Sequence, residues 1–182
     1  MKTRVVALGM LLLGVLFAPV CLAGKPIVVS VDYAGYGYDT SVDSNDDGFT
    51  INLTEATGKG TFGKSVISIT AEFGYPDGGE DPCVSPYTWL PVVVGNGHYW
   101  ASVVTAADLS QLFALYDQGY LCLNQDAPFD YYGKVFGFYY GGTGRYAGAS
   151  GTWESYFEGV NLDPTVGYRS ISGWIKGEVI LP

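Results

Sequence analysis

The stretch Thr61–Phe73 constrains the fold more than any other part of the chain. Ile67, Ile69, Ala71 and Phe73 fall on one side of a period-two pattern, and Ser68, Thr70 and Glu72 on the other. Side chains of a strand point alternately to opposite faces, so this pattern predicts a strand with one apolar and one wet side. Short β-rich runs recur along the rest of the chain: Ile27–Tyr33, Phe49–Leu53, Thr88–Val94, His98–Thr105, Val135–Tyr140 and Gly173–Leu181. Turn clusters separate them, at Ala34–Gly48, Gly74–Pro86 and Asn124–Tyr132. Gly95-Asn96-Gly97 predicts a hairpin between its two flanking strands. Good helix formers are thin while glycine (26), tyrosine (15) and phenylalanine (9) are plentiful, which argues for an all-β sandwich or barrel. There is no internal repeat and no linker.

From Arg145 to Phe157 the alternation returns. Ala147, Ala149, Gly151, Trp153 and Phe157 share one face; Tyr146, Ser150, Thr152, Glu154 and Tyr156 share the other. Small residues followed by large ones on an inward face suit the crowded interior of a small barrel. Ala106–Tyr116 has two readings. Thr105 and Asp108 make a capping-box-like start, with Leu109, Leu112, Phe113 and Tyr116 at helical spacing. The competing reading is a turn at Ala107–Ser110 and a strand from Gln111 to Cys122. Pattern alone does not choose between them.

The first 23 residues predict export. Lys2 and Arg4 precede an apolar run from Val5 to Phe17, and small residues at Cys21 and Ala23 suit cleavage before Gly24. The run is shorter than the ~20 residues a membrane span needs. Ala18-Pro19-Val20 before Cys21 departs from the Leu-x-(Gly/Ala) pattern of a lipidated cysteine. The flanks look bacterial, so the expected address is the periplasm or the medium, with residues 24–182 forming one domain. Cleavage removes Lys2 and Arg4 and no acid, taking the net charge from −9 to −11. Such a surface repels phosphate backbones and anionic membranes, so neither is an expected partner. Cys83 and Cys122 survive cleavage, and an exported chain with two cysteines is expected to pair them. A catalytic thiol lacks a base: the chain has one histidine, His98.

Asp43-Ser-Asn45-Asp-Asp47-Gly48 matches the first half of a calcium loop, with oxygens at alternate positions before a sharp glycine turn. The bidentate Glu expected six residues after the Gly is replaced by Thr54. A full EF-hand is thereby excluded, while a lone Ca2+ loop through Asp43, Asn45 and Asp47 stays open beside a plain solvated turn. Gly142-x-Gly144-x-x-Ala147 resembles a dinucleotide fingerprint, with Asp163 at a suggestive distance, but the mechanism needs a helix after the glycines and the sequence alternates as a strand. Glu72 and Glu154 are a possible acid/base pair that we expect to face solvent. Arg145 could bind a carboxylate ligand or pair with a nearby acid. Asn52-Leu-Thr54 is a glycosylation sequon. Tyr36, Tyr38, Tyr131, Tyr132, Tyr139 and Tyr140 could line a barrel mouth holding an apolar or sugar ligand.

The run Tyr140-Gly-Gly-Thr-Gly-Arg-Tyr-Ala-Gly-Ala-Ser-Gly-Thr-Trp153 resembles the Gly-Gly-Thr-Gly-Arg-Phe-x-Gly-Ala-x-Gly turn and strand of the allene oxide cyclase and dirigent-like barrel proteins, above all their small exported bacterial relatives of unassigned function. Asp43–Gly48 followed by Gly58–Gly63 is similar to the acidic loop and following strand of the group. Val104–Leu112 is similar to a hairpin that usually carries Asn-Gly-Asp at its tip; here Asp108-Leu109-Ser110 stands there. The resemblance covers about residues 40–157. It implies an eight-stranded antiparallel β-barrel and favours the hairpin over the helix at 106–116. It carries no catalytic residue to this chain, because the shared motif is a turn. Gly141, Gly142, Gly144 and Gly148 are then expected to serve backbone needs. The functional expectation is a non-enzymatic exported barrel that binds a small apolar ligand or has a structural role. The alternatives are a cyclase or isomerase, by fold analogy alone, and a calcium-stabilised domain. Oligomeric state is left open.

Overall fold

The computed structural model describes residues 24–182 except 44, 45, 47, 49, 77, 94–99, 127 and 128. The expected export signal at residues 1–23 and the hairpin turn expected at Gly95–Gly97 lie outside the described residues. The strands are β1 (Ile27–Asp39), β2 (Asn52–Gly60), β3 (Gly63–Ala71), β4 (Thr88–Pro91), β5 (Ala101–Ala106), β6 (Gln111–Leu123), β7 (Asp130–Gly142), β8 (Ser150–Asp163) and β9 (Tyr168–Ile180). A 3-10 turn, Gly144–Tyr146, joins β7 to β8. Neighbours run in the order β6-β5-β3-β2-β1-β9-β8-β7, and β7 pairs back to β6. Every pairing is antiparallel. The sheet therefore closes on itself as an eight-stranded antiparallel barrel, which removes exposed edges from the main sheet. Among the described residues no helix is long and apolar enough to cross a membrane.

At Ala106–Tyr116 the hairpin forms and the helix does not. Ala106 N–H donates to Ser110 O (2.9 Å), and the Asp108 carboxylate accepts from Ser110 N–H (3.1 Å). Leu109, at the tip of this turn, takes φ +64°. In this register Leu112, Ala114 and Tyr116 all face inward. A helix would have spent those same residues on a separate apolar stripe.

Two expectations about strand pairing are corrected. β4 and β5 are not hairpin partners. Thr88–Pro91 pairs with Leu123–Tyr120 and Ala101–Thr105 with Leu115–Gln111, so both run antiparallel to β6. They are successive pieces of one strand position beside β6, and Phe73 bridges Val92 on the opposite side. Strands β1 and β2 are also longer than their sequence suggests. Ala34–Asp39 reads as loop because of Gly35, Gly37 and Asp39. It continues as strand because β2 and β9 pair with it on both sides. A Cβ at Gly35 would lie 2.1 Å from Glu55 O, so the apparent breaker is what lets the strands approach.

The interior is filled by a rule that links large and small residues across strands. Trp153 on β8 is flanked in register by Gly137 and Gly177, and Phe157 by Gly133 and Gly173. A Cβ on Gly137 would meet the Trp153 ring at 2.7 Å, and one on Gly133 the Phe157 ring at 2.4 Å. Each aromatic ring occupies the volume its neighbours' missing side chains leave free, which is how close packing is reached in a narrow barrel. The alternation read over Arg145–Phe157 holds only from β8 onward. The 3-10 turn shifts the phase, so Tyr146 is buried and Ala147 exposed, the reverse of the expectation.

Candidate functional site

The two ends of the barrel differ. At one end the β2–β3 turn, the β5–β6 turn and the 3-10 turn meet. Phe62 and Tyr146 are both buried there, their rings edge to face at 5.5 Å. The Gly-rich run builds this plug. Gly144 has φ +57°, and a Cβ there would fall 2.4 Å from Ser110 Oγ. Gly142 has no room for a Cβ beside Gln111 O (2.2 Å). Gly141 (φ +143°) and Gly148 (φ +73°) supply backbone conformations that L side chains rarely adopt. Arg145 lies over the Tyr146 ring (4.9 Å) and its Nε is 3.6 Å from an Asp108 carboxylate oxygen. Its guanidinium also donates to Phe62 O (3.5 Å). Arg145 thus ties the three turns together. The Asp108 carboxyl is held below its ordinary range, first by the Ser110 amide and further by Arg145. No helix beyond the single turn follows the glycines; β8 does.

The other end is the mouth, and below it lies the interior cavity. The cavity measures about 50 Å³, and its walls include Tyr33, Phe73, Tyr116, Tyr131, Trp153 and Phe157. That is room for roughly one or two water molecules. The polar atoms along it are bonded mostly to each other. Tyr33 and Ser155 hydroxyls lie 3.0 Å apart, Ser102 and Tyr116 hydroxyls 2.9 Å, and Thr54 donates to Asn52 Oδ1 at 2.8 Å. Tyr131 donates to Ser170 O. Trp153 Nε1 is buried with no partner among the described residues, so its N–H is suited to a trapped water. Burial pushes the Tyr33 phenol up to about 12, against the weaker opposing effect of Ser155. Burial raises Tyr116, Tyr131 and Tyr139 as well. Burial holds these phenols neutral at ordinary pH; Tyr33, Tyr116 and Tyr131 hydrogen-bond, while the buried Tyr139 hydroxyl has no partner among the described residues. At the rim Arg169 pairs with Asp39 and donates to Gly167 O (3.2 Å).

The residues singled out from the sequence are scattered over this frame. Cys83 and Cys122 are joined in a disulfide with Cα atoms 5.6 Å apart. It ties the segment before β4 to the outside of β6. Beside it Tyr87 packs edge to face on Tyr132 (5.0 Å) and donates to the Asp130 carboxylate. Tyr87 and then Asn124 hold the Asp130 carboxyl below its usual range. Glu72 and Glu154 are not both solvent-facing. Glu72 is fully buried on the outward side of its strand, while Glu154 pairs with Lys134 at 2.7 Å on the surface. The six tyrosines do not form one mouth. Tyr131 and Tyr139 are buried inside, whereas Tyr36, Tyr38 and Tyr140 are exposed on the outer face. Asn52 faces the cavity, its amide donating to Tyr38 O (3.1 Å), so the sequon is engaged by the fold. Asp43 accepts from Gly48 N–H (2.7 Å), as a self-bonded acidic turn does. Asn45, Asp47 and His98 lie outside the described residues. Among the described residues no group of three or more His, Cys, Asp and Glu side chains is placed to hold a metal ion.

Sequence reasoning missed the cavity's polar set: Tyr33, Asn52, Ser102, Tyr116, Ser155 and Arg169. They come from six different strands, so no local motif joins them. The signal present was parity, since a hydroxyl on the inward face of an alternating strand must find a partner inside. No protein-family model matches the chain, and no curated protein or solved structure matches it.

Proposed function

We propose that this chain is an exported, non-enzymatic barrel that works through its outer surface, its interior serving as structural core. The observation that carries this reading is the filled interior. A cavity of about 50 Å³ is far below the several hundred cubic ångströms of ordinary ligand pockets. The chemistry supports the same reading. A cyclase or isomerase needs a free acid, base or charge beside its substrate. Here the Tyr33–Ser155 and Ser102–Tyr116 hydroxyls are bonded to each other, the buried phenols are held neutral, and Arg169 is paired with Asp39 at the rim.

The test is native mass spectrometry of the protein secreted by its own type of host, followed by incubation with decanoate, indole and an anilinonaphthalene sulfonate dye. The expected result is no bound mass and a melting temperature that moves by less than about 1 °C. Stoichiometric binding of any probe, abolished by an interior-filling Ser155→Leu change, would overturn the reading and restore the ligand-carrying or cyclase alternatives.

A further inference from the structure

The outer face near the mouth holds an unusual set of side chains for an acidic protein surface. Even-numbered residues of β1 point outward, and Tyr36 and Tyr38 are more than half exposed (57% and 53%). Tyr168, from the start of β9, is 40% exposed and stacks on Tyr36 with ring centroids 5.7 Å apart and planes within 12°. Register continues the row sideways. Tyr36 is opposite Glu55, and Glu55 opposite Ser68; Tyr38 is opposite Leu53, and Leu53 opposite Thr70. These residues form a groove of about 300 Å³. A second groove of about 330 Å³ lies on the other side of Tyr36, floored by the small residues Ala34, Ser170 and Ser172. Tyr36 is therefore the ridge between two shallow troughs that run across β3, β2, β1 and β9.

Chemistry selects the occupant. Glu55 is exposed and Ser68 and Thr70 are half-buried; all three line the groove and make no side-chain hydrogen bond or ion pair among the described residues. They stand within one strand spacing of exposed aromatic faces. A hexose ring has that same division: a C–H face that packs on an aromatic ring and a rim of hydroxyls that donate to a carboxylate and exchange hydrogen bonds with hydroxyls. A lipid chain would meet Glu55, Ser68 and Thr70 with nothing to satisfy them. An anionic polymer would meet a chain of net charge −9.

We propose that the Tyr36–Tyr168 stack with Glu55 is a binding platform for a neutral linear hexose oligomer, which lies across the strands and straddles Tyr36. This deepens the surface-binding function proposed above and rests on it.

The experiment is calorimetric titration of the full secreted protein with cellohexaose, chitohexaose and maltohexaose, with sedimentation velocity alongside. At least one of the three binds. Tyr36→Ala and, separately, Tyr168→Ala weaken it by about tenfold or more, Tyr36→Phe by less than about threefold, and Glu55→Gln by several-fold. The exposed variants keep the wild-type circular dichroism and melting temperature, so loss of binding is not loss of fold. Three outcomes overturn the proposal: no binding of any oligomer at millimolar concentration; binding untouched by Tyr36→Ala and Tyr168→Ala; or an oligomer that Tyr36→Ala dissociates, which would make this face a contact between copies. If the oligomers fail while the interior also takes up no probe, this proposal alone fails. If Ser155→Leu abolishes oligomer binding and Tyr36→Ala does not, the surface-binding reading fails with it.

Discussion

The closed end of the barrel and its mouth are built from different kinds of sequence. The closed end comes from short turns: Thr61–Phe62, Ala107–Ser110 and Thr143–Ala149. They bring Phe62, Leu112, Tyr146 and Ala149 together with almost no exposed area. The mouth has the two longest connections, 40–51 and 72–87, beside 124–129 and 164–167, and beneath it hydroxyls alternate with rings. Short turns fix where their side chains go, so a plug can be apolar and tight. Long connections leave inward strand ends to be satisfied by partners from other strands. The small cavity and the Arg169–Asp39 pair sit at that end as a result.

The contrast can be broken most directly at the plug. Tyr146→Ala removes a buried ring that packs on Phe62, and should cost about 3–5 kcal/mol in chemical denaturation. A cost below about 1 kcal/mol would mean that the closed end does not depend on its plug. The corresponding staple outside the mouth is the disulfide. Cys83→Ala with Cys122→Ala opens a closed loop spanning 39 residues of sequence and should cost about 3–4 kcal/mol by the chain-entropy estimate. Hydrogen exchange should show the loss concentrated in β4 and the second half of β6, with the 3-10 turn unaffected.

Alkali tests the hydroxyl-lined interior. A phenol whose pKa is raised by folding contributes stability that is fully present below its unfolded value and is lost as pH rises through its folded value. For Tyr33 that window runs from about 10 to about 12. Tyr116, Tyr131 and Tyr139 shift in the same direction. Ultraviolet titration should therefore show part of the phenolate signal appearing only as the barrel unfolds, and Tyr33→Phe should flatten the loss of stability above pH 10. Simultaneous titration of all tyrosines with the fold intact would contradict a closed interior. The smallest expected effect is a gain. Leu109 is exposed at φ +64°, a conformation glycine adopts freely, so Leu109→Gly should raise stability by about 1 kcal/mol. No gain would show that the Asp108–Ser110 bonds already absorb the strain.

Much of the barrel was legible along the chain and little of the cavity was. The inward face of Thr61–Phe73 was readable because alternation is a local property; Ile67 and Ala71 are buried as the pattern requires. The pairing of Cys83 with Cys122 followed from counting. The β4–β5 relation was misread because Gly95-Asn96-Gly97 is a local signal for a turn. Whether the flanking strands then pair with each other or both with β6 depends on β6, which lies later in the chain. Glu72 was misread for a similar reason. It alternates with the inward-facing Ala71 and Phe73 and is nevertheless fully buried, which alternation within one segment does not reveal.

By itself, the sequence determined the strand-rich class, the one-sided faces and the turns where glycine is required. Each of these is decided by steric and hydrophobic preferences acting within a few residues. Only the tertiary structure decided that the sheet closes on itself, that glycines on β7 and β9 make space for the rings of β8, and that the interior is filled. Those depend on which strands become neighbours and in what register. A shift of one residue would turn every inward ring outward, and no single segment contains the information that prevents it.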